Sequence, residues 1–190
     1  MTPALTSRTT WRTRRTRTRA QIATVCAILV AVGIATWTHL TRAKSGPSVG
    51  SEAVDFALPV ASGPEDSFRL ADHRGTPVVI EVFASWCGYC QRATSVLASA
   101  SQARRSLPVR FVGVSVDDTI ATAGSAAESW GIPYEVAWDD GRVTLAYDIS
   151  MLPTVIVIDG EGRVAHVGNG APDAEELEDW LADVGAQRVN

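Results

Sequence analysis

Cysteine and histidine are scarce in this 190-residue chain, which has Cys26, Cys87, Cys90, His39, His73 and His166 and no others of either type. Only Cys87 and Cys90 stand close together, so a four-ligand zinc site lacks donors at short spacing. No acidic residue occurs before position 45, a stretch that carries 8 of the 17 basic ones, which leaves residues 45–190 with 9 basic against 21 acidic residues, net −12. A region this acidic lacks the basic face that phosphate neutralisation needs, which argues against nucleic-acid binding. Internal repeats and low-complexity tracts are missing from it as well. What it does have is apolar residues, 46% over the whole chain, enough for one ordinary core.

The basic N-terminus has a different explanation. Arg8, Arg12, Arg14, Arg15, Arg17 and Arg19 precede Ala20 to Thr41, a run with no charged residue apart from a charge that His39 can acquire. About 20 residues at a rise of 1.5 Å cover a hydrocarbon core roughly 30 Å thick, and Trp37 suits the distal interface. We therefore expect a cytoplasmic tail over 1–19, a transmembrane anchor or uncleaved signal over 20–41, a linker over 42–51 and a folded domain over 52–187. Positive charge stays inside, which puts the domain outside the cytoplasmic membrane of a single-pass protein. A cleaved signal peptide is the alternative, since Thr41-Arg42-Ala43 loosely fits a cleavage site; the length of the apolar run favours the anchor. Arg14-Arg15 is no twin-arginine signal, because Thr16-Arg17-Thr18 follows where apolar residues belong. Cys26 falls within the span and is given no chemistry.

The chemistry concentrates where the apolar run Val78–Phe83 delivers Trp86-Cys87-Gly88-Tyr89-Cys90 to the start of a helix. Cysteines at i and i+3 on a first turn can close a small disulfide ring with little backbone change. Cys87, at the helix N-terminus, meets unpaired N–H groups and the positive end of the macrodipole, both of which favour a thiolate, so it is the candidate nucleophile. Cys90, one turn further in, is the candidate resolving thiol that attacks the mixed disulfide. A static structural disulfide is the bland alternative, and a loop with two intervening residues gains little from one. Glu81 sits inside the apolar strand, where a buried carboxylate is costly without a partner. It is either at an edge or solvated bulge, or it is a proton acceptor.

Periodicity supplies the remaining elements. Val54–Val60 and Ser67–Leu70 read as a small hairpin around Ala61–Asp66, and Val109–Val116 as a second apolar strand. Apolar residues at Ala93, Val96, Leu97, Ala100 and Ala103 continue the cysteine helix, with Arg104-Arg105 at its C-terminal end. A helix over Ile120–Trp130 stops at Gly131-Ile132-Pro133. Tyr134–Ala137 reads as a short strand and Arg142–Tyr147 as a short helix. Pro153 leads into a strand over Val155–Ile158, the turn Asp159–Gly162 returns it through Arg163–Val167, and Asp173 with Glu176 caps a last helix whose Leu177, Trp180, Leu181 and Val184 share a face.

In this order the elements resemble the thioredoxin superfamily: an α/β fold with a mixed central sheet flanked by helices, here with an N-terminal hairpin extension and one preceding transmembrane helix. Gly75 to Cys90 is similar to the active-site region of membrane-anchored TlpA/ResA-like thiol-disulfide oxidoreductases, Leu152-Pro153-Thr154 to the family's cis-proline motif, and Ile158 to Arg163 to its hairpin. The resemblance implies a cis Pro153 facing the disulfide, a Leu152 backbone free to pair with an extended substrate, and Trp86, Gly88 and Tyr89 beside that substrate. It implies that Glu81 shuttles the proton of Cys90. No cofactor or metal is implied; the partners are protein thiols or disulfides and a membrane electron donor or acceptor. Reduction, for example in cytochrome c maturation, is the expected direction, with oxidation or isomerisation of exported proteins as the alternative. Two departures stand out: Gly88-Tyr89 is neither Gly-Pro nor Pro-His, and Ala93 stands where the ResA-like group commonly has Glu. Ala84, where a peroxiredoxin has Thr or Ser, speaks against that class, and the close cysteine spacing against a copper-delivering module.

Overall fold

The computed structural model describes residues 28–33 and 46–186. Residues 28–33 are helical with exposed side chains; the rest of the expected tail and anchor, and the linker up to residue 45, lie outside the described residues. Among the described residues no helix is long and apolar enough to cross a membrane.

Residues 46–186 build one seven-stranded mixed sheet. Its strands are β1 (Ala57–Ser62), β2 (Ser67–Arg69), β3 (Val78–Phe83), β4 (Arg110–Ser115), β5 (Glu135–Trp138), β6 (Thr154–Ile158) and β7 (Val164–Asn169). They lie in the order β2-β1-β5-β4-β3-β6-β7. Strand β3 runs parallel to β4 and antiparallel to β6, and β4 runs parallel to β5. The helices are α1 (Gly88–Ala103), α2 (Ile120–Trp130), α3 (Arg142–Ala146) and α4 (Ala174–Asp183).

Central position explains the apolar character of β3: all six of its residues are buried, since helices cover both faces of the sheet. Val78, Ile80 and Val82 pack on one face with Phe56, Leu70 and Tyr147. On the other, Val79 packs with Leu97 of α1 and Leu177 of α4, and Phe83 with both cysteines. Each fully buried leucine there contributes about 2 kcal/mol of transfer free energy. Gly113, beside Glu81 in the β3–β4 register, leaves room for a ring, because a Cβ there would lie 3.0 Å from Phe83 Cε1.

Three local differences from the expected elements have physical causes. The first strand begins at Ala57, because the backbone before it bonds elsewhere: Ala53 N–H donates to Gly162 O, and Val54 O accepts the Tyr147 hydroxyl at 2.7 Å. Strand β1 also joins β5, so the hairpin extends the central sheet instead of standing apart. Ala103 is exposed and Arg104 is buried in its place. The Arg104 guanidinium pairs with Glu178 of α4 and donates from Nε to Ala186 O at 2.9 Å, so this cation secures the end of α1 from inside the protein.

The α2 stop is as expected. Gly131 adopts φ 63°, and Ile132 N–H bonds Ala127 O at 3.0 Å, a left-handed cap that glycine forms without a Cβ penalty.

Candidate active site

Strand β3 ends at Phe83, and a four-residue turn leads into α1. Cys87 is the N-cap of that helix, extended at φ −91° and ψ 100°. Its Sγ accepts the Cys90 N–H at 3.2 Å, so the sulfur itself occupies the capping position. Cys87 and Cys90 form a disulfide with Cα atoms 5.2 Å apart, and the protein is in its oxidised form. No acidic residue lies in the first turn of α1, so nothing there opposes the helix-end field that favours a thiolate at position 87.

The two sulfurs differ in access. Cys87 is 9% exposed and Cys90 0%. Cys87, but not Cys90, lines a surface groove of about 520 Å³ together with Trp86, Gly88, Tyr89, Met151 and Leu152. Trp86 and Tyr89 stand out from the protein at 74% and 66% exposure, and the Arg92 guanidinium lies 4.6 Å from the centre of the Tyr89 ring, a cation–π contact that steadies it.

The opposite wall of the groove is the segment before β6. The Leu152–Pro153 peptide is cis, as the resemblance implies. Thr154 Oγ1 donates to Met151 O at 2.7 Å, and Gly170 N–H to Pro153 O at 2.8 Å. Leu152 packs its side chain on the cysteine cluster. Its N–H and C=O have no hydrogen-bond partner among the described residues, which leaves both free for an extended chain.

Glu81 lies neither at an edge nor in a bulge. It is fully buried in the middle of β3, between Gly113 and Val155. Oε1 accepts the Thr94 hydroxyl at 2.8 Å and Oε2 the Tyr134 hydroxyl at 2.8 Å. Burial pushes its pKa up from 4.5 to about 7, against the pull of the Tyr134 and Thr94 hydrogen bonds. Neutral pH therefore falls where this carboxyl can both take and release a proton. Thr94 follows Cys90 by four residues on α1 and shares its buried face, which brings Glu81 to the helix face of the shielded cysteine.

Sequence reasoning missed three of these groups. Thr94 left a signal: a polar residue one turn after Cys90 on a buried stripe. Tyr134 was legible only as the start of a strand, and its hydroxyl role depends on tertiary register. Asp117 directly follows the expected strand Val109–Val116. Its carboxylate accepts the Ser85 N–H at 3.0 Å, the Ser85 hydroxyl at 2.6 Å and the Ser115 hydroxyl at 2.8 Å, which fixes the loop just before Trp86-Cys87. Among the described residues no group of His, Cys, Asp or Glu is arranged to hold a metal ion.

With this geometry in hand, comparison with known proteins gives consistent relatives. The chain is 28% identical over 163 residues to the thiol-disulfide oxidoreductase ResA of Geobacillus kaustophilus, covering 85% of this chain and 92% of that protein. It is 27% identical over 177 residues to the thiol:disulfide interchange protein DsbE of Xylella fastidiosa, covering 90% and 88%. A Chlorobium tepidum crystal structure assigned as a thiol:disulfide interchange protein DsbE superposes with a TM-score of 0.67 at 26% identity, over 73% of this chain and 99% of that one. The sequence pattern of the Redoxin family matches residues 48–183. The chain belongs to the Redoxin family, within the thioredoxin superfamily.

Proposed function

We propose that this protein is a thiol-disulfide oxidoreductase that reduces disulfides of protein partners outside the cytoplasmic membrane, in a role of the kind served in cytochrome c maturation. The enzyme class follows from the family and from the shared naming of the relatives. The observation that carries the mechanism is a disulfide whose two sulfurs are unequal: Cys87 caps α1 and opens on a groove, while Cys90 is fully buried.

In the reduced protein the Cys87 thiolate attacks one sulfur of a substrate disulfide, forming a mixed disulfide and releasing the other substrate sulfur as a thiolate. The substrate segment lies along Leu152 and the cis Pro153 with Trp86, Gly88 and Tyr89 beside it. Cys90 then gives its proton to Glu81 and attacks Cys87 Sγ. The Cys87–Cys90 bond forms and the second substrate sulfur leaves, so the substrate gains two electrons and the protein loses two. A dithiol donor in the membrane restores the reduced state. The charge-free run 20–41 behind six arginines supports an anchor with the domain outside, and we propose with it a tail over 1–19, a linker over 42–51 and a domain over 52–187.

What supports reduction over oxidation is the resemblance of the buried acid at position 81 to that of the reducing thioredoxins; the proton transfer itself serves either direction. The test has two arms. Cys90→Ser should accumulate a mixed disulfide with a model substrate through Cys87, and Cys87→Ser should not; trapping through Cys90 instead would reverse the roles. The reduction potential of the pair should lie nearer the roughly −270 mV of thioredoxin than the roughly −120 mV of a strong oxidant, and a value at the oxidising end would replace reduction by oxidation of exported proteins.

A further inference from the structure

The two oxygens of Glu81 are held from two different parts of the fold. Thr94, on the helix that carries the cysteines, donates to Oε1, while Tyr134, at the entry to β5, donates to Oε2. Tyr134 is itself well placed by structure around it. The left-handed cap at Gly131 and the rigid Pro133 set the direction of the chain, and the ring packs on Phe111 with centroids 6.1 Å apart. On its far side the residue helps to wall a cavity of about 430 Å³ that also involves Arg105, Arg110 and Pro133. Glu81 has no exposure of its own and does not line that cavity.

We infer that Tyr134 is a positioning residue for the resolving step: its hydroxyl holds Oε2 so that Oε1 faces α1, and keeps the ionised carboxylate of Glu81 available to the Cys90 proton. The inference rests on the proton-acceptor reading of Glu81 given above. Burial, with the charge and hydrogen bond of Glu81 beside it, pushes the Tyr134 phenol far above its ordinary range, so it remains a hydrogen-bond donor and never itself carries the proton away. A carboxylate in an apolar strand depends on such donors, since each bond to its charged form offsets part of the desolvation cost. The groups that act on Glu81 are few. Val155 and Gly113 flank it from β6 and β4 with no charge, α1 contributes the Thr94 hydroxyl, and Tyr134 contributes the phenol. No arginine, lysine or second carboxylate takes part. Removing one hydroxyl therefore acts on one group.

Tyr134→Phe removes that hydroxyl and keeps the ring that fills the site. The reduced full chain is mixed with a disulfide peptide in a stopped-flow instrument across a range of pH, and the mixed-disulfide and resolution phases are followed separately. The resolution rate rises with pH as Glu81 ionises; in Tyr134→Phe the midpoint of that rise should move up by about one pH unit, a roughly tenfold loss of rate well below the midpoint, with the first attack unchanged. The infrared carbonyl band of protonated Glu81, identified by its loss in Glu81→Gln, should titrate with the same upward shift. In a Glu81→Gln background, Tyr134→Phe should have no further effect on resolution. If Glu81→Gln abolishes the pH dependence and a folded Tyr134→Phe leaves both the kinetic midpoint and the infrared titration unmoved, the role of Tyr134 is overturned while that of Glu81 stands. If Glu81→Gln itself leaves resolution and its pH dependence intact, the underlying reading falls, and this inference falls with it.

Discussion

Replacing Glu81 by Gln should make the protein more stable at alkaline pH, and the structure gives the size of the effect. In the folded chain the carboxyl titrates at about 7 against an ordinary value of 4.5, so the folded state holds its proton more tightly than the unfolded state does. Below the ordinary value both states are protonated and no penalty exists. As pH rises through the window from about 4.5 to about 7, the unfolded carboxyl ionises freely while the buried one resists, and stability is lost. At about 1.4 kcal/mol per pH unit the full loss is about 3 kcal/mol, complete above the folded value. Gln does not titrate, and its amide can accept from one neighbouring hydroxyl and donate to the other, so the Thr94 and Tyr134 partners remain satisfied. Urea unfolding of the oxidised wild-type and Glu81→Gln chains at a series of pH values measures the difference directly, since every other titrating group is common to both. The variant should gain on the wild type by about 3 kcal/mol from the acid to the alkaline end. A stability difference flat with pH would refute the claim that Glu81 is buried with a raised pKa.

Two further substitutions test how α1 is held. Arg104→Ala removes the cation that joins α1 to Glu178 and Ala186 O, and because Glu178 is part solvated the cost should be about 2–3 kcal/mol by urea unfolding; a loss within experimental error would make the pair a bystander. Asp117→Ala leaves the Ser85 N–H and two hydroxyls without their acceptor, which should cost about 2 kcal/mol and lower disulfide-exchange turnover several-fold through a loosened Cys87 loop. Unchanged turnover in a folded Asp117→Ala chain would separate the loop from the chemistry.

Elements governed by local pattern were legible before any coordinates. Strand β3 and helix α2 begin and end where the apolar run and the Gly-Ile-Pro stop put them, because both signals act over a few neighbouring residues. The short i to i+3 spacing of Cys87 and Cys90 likewise contains its own geometry. The first strand was misplaced by three residues at its start, since the partners of Val54 and Ala53 lie at Tyr147 and Gly162, far along the chain. The same limit applies in the site. Glu81 announced itself by being charged in an apolar strand, but its donors sit 13 and 53 residues away, and only the assembled sheet brings them together. Arg104 followed the rule for helix ends, yet its burial depends on an acid 74 residues later.

That last dependence has a consequence for the order in which the protein is made. The cysteine helix is secured at one end by Asp117 and at the other by Glu178 and Ala186, all of them later in the sequence. A chain emerging from the ribosome therefore presents Cys87 and Cys90 about 90 residues or more before the last of those anchors exists. During that interval the two thiols differ only by their place on an unsecured segment, and the distinction between an accessible and a shielded sulfur arises as Phe83, Ala126, Ala127 and Val136 pack around Cys90, before the C-terminal helix secures the far end of α1. Premature pairing with a stray thiol is thus a hazard of the growing chain rather than of the finished enzyme, and C-terminal truncation before α4 would leave the Arg104 end of the cysteine helix without its anchors.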